Sequence, residues 1–139
     1  NGEVDAVKSE FVDCTKLCLD NGKIAKWIIE IAALTDEQIA DITKKISTWA
    51  EENFKAEDLH RIFVKSSTGF YQTEGGKPNV ATVEGIKIML ENAGSLPVKA
   101  AGGVRTPEEA EYMINLGVKR IGTSSAKALI KNEEVSGGY

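Results

Sequence analysis

Pro97-Val98-Lys99-Ala100-Ala101-Gly102-Gly103-Val104-Arg105-Thr106-Pro107-Glu108-Glu109 decides how this chain folds. A run with strand character, Pro97 to Ala101, ends in two glycines, and a helix start follows. Thr106 can cap that helix, Pro107 suits its first position because the N–H there has no partner to lose, and Glu109 completes a capping box. Gly117 supplies the stop. Strand, glycine turn and capped helix form a βα unit.

The same order recurs on both sides. Upstream, Arg61-Ile62-Phe63-Val64-Lys65 reads as a strand, and a polar, glycine-rich loop from Ser66 to Ala81 follows it. Thr82 caps a helix bearing Val83, Ile86 and Leu90, which Ala93-Gly94 ends. Earlier still, a strand at about Ile24 to Ile31 precedes Thr35-Asp36-Glu37-Gln38. That capping box opens a helix with Ile39, Ile42, Ile46 and Trp49 on one face. Before it, apolar residues at helical spacing from Val4 to Leu19 predict a helix stopped by Asn21-Gly22. Downstream, a strand at Lys119 to Thr123 runs into a helical stretch from Ser125 to Lys131 and a tail ending at Tyr139.

A helix followed by four βα units predicts an α/β fold with a parallel sheet, and function at the strand C-termini. The unusual residues lie there: Glu30, Lys65, Lys99 to Gly103, and Gly122-Thr123-Ser124-Ser125. A TIM (β/α)8 barrel needs eight strands and roughly 250 residues. The pattern therefore predicts part of a barrel in residues 1–139, with an N-terminal half missing and exposed sheet edges prone to associate.

The composition allows one domain and points away from nucleic acid, because 17 Lys and Arg face 21 Asp and Glu for a net charge of −4. An anionic substrate would have to be held by local positive charge and backbone amides. Apolar runs such as Trp27-Ile28-Ile29 fall far short of the ~20 residues of a membrane span. No leader pattern opens the chain, and Cys14 and Cys18 read as reduced thiols, so the expectation is a soluble cytoplasmic protein. His60 precedes a strand at the rim away from the chemistry, and Trp27 and Trp49 read as packing residues.

Lys65 and Lys99 end successive strands, whose backbones lie ~4.8 Å apart if they are neighbours. One reading is that each amine merely snorkels to solvent. The other is that two ammonium groups share one mouth, where repulsion and partial burial favour the neutral amine, the nucleophile of Schiff-base chemistry. Gly102-Gly103 and Gly122-Thr123-Ser124-Ser125 follow the last two strands, where TIM barrels often hold phosphate, with Arg105 as a further donor. Taken singly, each could be a tight turn.

Phe63-Val64-Lys65-Ser66-Ser67-Thr68-Gly69-Phe70, Val98-Lys99-Ala100-Ala101-Gly102-Gly103-Val104-Arg105-Thr106 and Arg120-Ile121-Gly122-Thr123-Ser124-Ser125 resemble, in order and spacing, the last three strand-end motifs of deoxyribose-phosphate aldolases. Lys26-Trp27-Ile28-Ile29-Glu30 through Leu34-Thr35-Asp36-Glu37 resembles that family's fifth strand and following helix. The resemblance implies strands five to eight of the barrel. It implies a lyase of deoxyribonucleotide and carbohydrate catabolism, cleaving 2-deoxy-D-ribose 5-phosphate reversibly to D-glyceraldehyde 3-phosphate and acetaldehyde, without metal or organic cofactor. Lys65 matches the imine-forming lysine, Lys99 the lysine that perturbs it, and Tyr139 a C-terminal proton donor or acceptor of some members. Gly69, Gly102, Gly103, Val104, Arg105, Gly122, Ser124 and Ser125 match the phosphate site or its immediate surroundings. The implied partners are a phosphorylated sugar, the N-terminal half of the same barrel and a second copy in a homodimer.

The family's catalytic aspartate ends the fourth strand, which precedes these residues; Asp5 sits in helical sequence and reads as an exposed first-turn carboxylate. Phe70 stands where some members carry a lysine, and Gly75-Gly76-Lys77-Pro78 lengthens the loop beyond the shortest members. Two alternatives stay open: a Schiff-base aldolase with another substrate, and a non-catalytic phosphate-binding or interaction protein on the same barrel.

Overall fold

A computed structural model describes residues 2–76 and 79–131. Helix α1 (Val4–Asp20) leads into β1 (Ala25–Ile28), α2 (Asp36–Asn53), β2 (Ile62–Lys65), α3 (Val83–Asn92), β3 (Val98–Ala101), α4 (Pro107–Leu116), β4 (Arg120–Gly122) and α5 (Ala126–Lys131). The strands form one parallel sheet in the order β1-β2-β3-β4. They are shorter than the sequence pattern suggests. Lys119 still donates its N–H to the Val98 carbonyl just ahead of β4, whereas Glu30 turns the chain into a left-handed conformation beyond β1.

Three helix starts follow their capping chemistry. Thr35 Oγ1 accepts the Gln38 N–H while the Gln38 side chain accepts the Thr35 N–H. Thr106 and Glu109 repeat the arrangement with Pro107 in the first turn. Thr82 accepts the Gly85 N–H at the start of α3. A 3-10 segment at Ala56–Arg61, without a periodic sequence signature, leads into β2. There Arg61 pairs with Asp58 and donates to the carbonyls of Leu19 and Lys23, tying the α1–β1 turn to the next strand.

Because side chains alternate along a strand, the sheet has two unlike faces. Ile62, Val64, Val98 and Ala100 point to the helices and are almost wholly buried there with Ile86 and Met89 of α3. Phe11 of α1 packs its ring 5.1 Å from Trp27 and 5.9 Å from Trp49, and Trp27 Nε1 donates to Thr15 Oγ1. Both tryptophans are packing residues. Ile86 is fully buried, so Ile86→Ala should cost about 2–5 kcal/mol, read as a lower urea midpoint at unchanged slope.

The opposite face carries Lys26, Phe63, Lys65, Lys99 and Arg120. A four-stranded parallel sheet with its connecting helices is the architecture expected of half of a TIM barrel. No helix is long and apolar enough to cross a membrane among the described residues.

Candidate active site at the strand C-termini

Lys65 ends β2, and since every other residue of that strand is apolar and buried, its amine is the strand's one polar side-chain group. Its backbone is held on both sides. The Lys65 carbonyl accepts the Ile29 N–H at 3.0 Å, and the next N–H, of Ser66, donates to the Lys99 carbonyl at 3.1 Å. Ser66, fully buried, spans to β3: its Oγ accepts the Ala101 N–H at 3.0 Å and donates to the Ala101 carbonyl at 3.4 Å. Lys65 is thereby registered directly opposite Lys99, and Lys99 opposite Arg120.

The two lysines line one cavity of about 220 Å³ together with Thr68, Ala101, Gly102, Gly122, Thr123 and Ser124. Burial holds the Lys99 amine below the ordinary lysine range, and the cations of Lys26, Lys65 and Arg120 push it further down. Arg120 also lies over the Phe63 ring, 4.7 Å from its centre. Among the described residues none of these four cations has a carboxylate partner. A chain of net charge −4 thus gathers four cations on one face, a local field that attracts anions.

Gly122 keeps the space Lys99 occupies, since a Cβ there would meet Lys99 Cε at 2.9 Å and Ala101 Cβ at 3.3 Å. Gly122→Ala should displace the amine and lower kcat/KM about tenfold or more with little loss of stability, measured by steady-state kinetics beside a thermal melt.

The glycine-serine loops are placed less uniformly than their motifs suggest. Gly102 and Gly103 both take positive φ, 83° and 79°, and a Cβ on Gly103 would meet Val80 Cβ at 2.9 Å. The Gly102 N–H is spent on the Gly122 carbonyl, and the Ser125 N–H on Thr123 Oγ1, which itself donates to the Val104 carbonyl. Ser125 is buried and Ser124 exposed. Val104 is buried in the core at 2% exposure, so its side chain is a packing group. Arg105 is exposed and its N–H donates to Glu109. Of the expected residues, Lys65, Lys99, Gly102, Gly122 and Ser124 line the cavity, whereas Gly69, Gly103, Val104, Arg105 and Ser125 lie in the surrounding loops. Tyr139 and Lys77-Pro78 fall outside the described residues.

Residue patterns alone leave Glu30 without a role, yet its backbone is singular. It is the one non-glycine at positive φ among the described residues, at φ 55° and ψ 67°, a conformation costing roughly 1–2 kcal/mol. Its Oε2 accepts both the N–H and the Oγ1–H of Thr68, while Oε1 is buried without a partner among the described residues. Positive φ at a charged residue beyond a strand end is a signal that sequence does not carry.

A larger cleft of about 430 Å³ lies outside the sheet between α1 and α2, lined by Val4, Val7, Ile42 and Trp49. Glu3, Asp41 and Lys45 line it as well, but no glycine-serine loop does. Among the described residues no group of three His, Cys, Asp or Glu side chains could hold a metal ion.

No family model matches the chain. A deoxyribose-phosphate aldolase from Mannheimia succiniciproducens is 38% identical over 141 residues, covering 100% of this chain and 55% of that protein. One from Dictyoglomus turgidum is 44% identical over 110 residues, covering 78% of this chain and 43% of that protein. Among solved structures, the tetrameric deoxyribose phosphate aldolase of Aeropyrum pernix superposes with a TM-score of 0.70 at 26% identity, over 91% of this chain and 48% of that one. QR15, described as an aldolase, gives 0.67 at 31% identity over 91% and 52%. The chain spans about half the length of the curated relatives it matches. In sequence and in fold, it is homologous to the C-terminal half of the deoxyribose-phosphate aldolases.

Proposed function

We propose that this chain is the C-terminal half of a class I aldolase barrel that reversibly cleaves 2-deoxy-D-ribose 5-phosphate to D-glyceraldehyde 3-phosphate and acetaldehyde. The observation that carries this reading is the registration of Lys65 against Lys99 in one cavity with Gly102, Gly122 and Ser124. The neutral Lys65 amine adds to the aldehyde carbon, and loss of water leaves the imine. Removal of the C3 hydroxyl proton lets the C2–C3 bond break. Glyceraldehyde 3-phosphate departs, and the C2–C3 bonding pair becomes the C1=C2 double bond of an enamine as the pair of the protonated C1=N bond returns to the Lys65 nitrogen. Protonation and hydrolysis of that enamine release acetaldehyde and restore the amine.

Lys99, with its lowered proton affinity, is suited to proton transfer beside Lys65. The phosphate is assigned to the loops at Gly69, Gly102, Gly103, Val104, Arg105, Gly122, Ser124 and Ser125, through the serine hydroxyls and those amides that the loops do not spend internally, with the four-cation face supplying attraction. Tyr139 is assigned a proton-transfer role from the C-terminus. The other four βα units complete the barrel and supply the aspartate, the whole acting in the cytoplasm.

The test is reduction with borohydride in the presence of acetaldehyde, performed on the barrel completed by its other half. Peptide mapping should find the two-carbon adduct on Lys65. An adduct on Lys99 instead, or none, would overturn the assignment. Faster cleavage of a fructose phosphate than of deoxyribose 5-phosphate would overturn the substrate.

A further inference from the structure

We propose that Glu30 is a positioning residue of the Lys65 site, acting through Thr68 to shape the part of the cavity that receives the sugar phosphate. This rests on the reading of Lys65 given above. Three consecutive residues grip the segment after Lys65: Ile29 N–H donates to the Lys65 carbonyl at 3.0 Å, Ile31 N–H donates to the Ser66 carbonyl at 2.9 Å, and the Glu30 carboxylate between them holds Thr68. The two backbone bonds need no particular side chain at position 30, and the left-handed backbone there suits glycine better than any other residue. A glutamate in that conformation is explained by what its carboxylate does.

It takes both donors of Thr68. The Thr68 hydroxyl, its proton committed to Glu30, also accepts the Phe70 N–H, so the loop from Thr68 to Phe70 is fixed by one carboxylate oxygen. Thr68 lines the cavity beside both lysines. With its proton committed to Glu30, the Thr68 oxygen can offer a ligand acceptor capacity only, a polarity suited to a substrate hydroxyl. The second carboxylate oxygen of Glu30 is buried without a partner among the described residues, so the carboxylate that holds Thr68 keeps unmet hydrogen-bonding capacity. Acetaldehyde, with neither hydroxyl nor phosphate, has nothing for this corner to read.

The completed barrel carrying Glu30→Gly, Glu30→Gln or Thr68→Val tests the assignment. Glycine keeps the backbone conformation and removes the carboxylate, so the thermal midpoint should hold while KM for deoxyribose 5-phosphate rises about tenfold. The rate of borohydride-trapped acetaldehyde addition to Lys65 should be unchanged. Glutamine retains an oxygen able to accept both Thr68 donors and should restore KM to within about threefold of the unsubstituted protein. Thr68→Val should raise KM like Glu30→Gly, and the double substitution should be no worse than either.

An unchanged KM in Glu30→Gly, additive effects in the double variant, or a parallel fall in adduct rate and thermal midpoint would overturn the role of Glu30 while leaving Lys65 intact. Absence of any acetaldehyde adduct in the unsubstituted protein would overturn the reading of Lys65, and that of Glu30 with it.

Discussion

Replacing Lys65 by alanine should abolish the borohydride-trapped adduct and lower kcat/KM for deoxyribose 5-phosphate by about a thousandfold or more, the scale on which covalent and proton-transfer catalysis are lost together. The fold should survive. Lys65 is only partly buried and its side chain makes no ion pair among the described residues, while its backbone bonds to Ile29, and through Ser66 to β3, are independent of the side chain. Removing one of four clustered cations also relieves repulsion on that face. Lys65→Arg sharpens the result, since it keeps a cation for the phosphate but cannot form an imine at neutral pH. Retention of the adduct elsewhere in either variant would transfer the nucleophile to another residue.

Lys99→Met should lower kcat by about 10²–10⁴-fold, the range for loss of a positioned proton-transfer group. Its second signature is thermodynamic. The folded protein holds the Lys99 amine below its ordinary value, first through burial and then through Lys26, Lys65 and Arg120. The unfolded chain therefore binds a proton there more readily than the native one, and stability rises with pH between the folded and the ordinary lysine values. Below that window the charged amine is disfavoured in the native state; above it the penalty is gone. Lys99→Met should remove this rise from the urea midpoint measured against pH, an effect kept small by solvent at a largely open amine. Lys99→Arg should preserve the charge and the phosphate attraction while leaving kcat low, separating proton transfer from electrostatics.

These expectations depend on two lysines that are far apart in sequence and adjacent in space. Strand β2 is apolar up to Lys65, so that amine falls at a strand end by pattern alone, whereas β3 runs from Val98 to Ala101 and Lys99 is its second residue, not its last as the pattern suggests. Their direct opposition is a matter of register. Ser66 sets it by giving its buried hydroxyl to both backbone groups of Ala101. A slip by one residue would turn one lysine into the helix layer.

The phosphate loops show the limit of motif reading from the other side. Gly102 and Gly103 are glycines for a legible reason, positive φ, and Gly122 for a hidden one, the passage of the Lys99 side chain. Which amides remain for an anion is decided by the sheet, because the Gly102 N–H closes a bond to Gly122 and the Ser125 N–H turns back to Thr123.

By itself the sequence determined the alternation of elements, the two capping boxes, the packing roles of Trp27 and Trp49, the placement of Lys65 and Gly122 at strand ends and that of Gly102 just beyond one. Each of these follows from periodicity or from chemistry within a few residues. Tertiary structure alone decided that Lys99 carries the lowered proton affinity, that Val104 is a core residue, and that Glu30 reaches Thr68 from a left-handed turn. The reason is common to all three: they depend on groups brought together from different strands, through burial, long-range charge and hydrogen bonds between distant segments, and no local pattern encodes those distances.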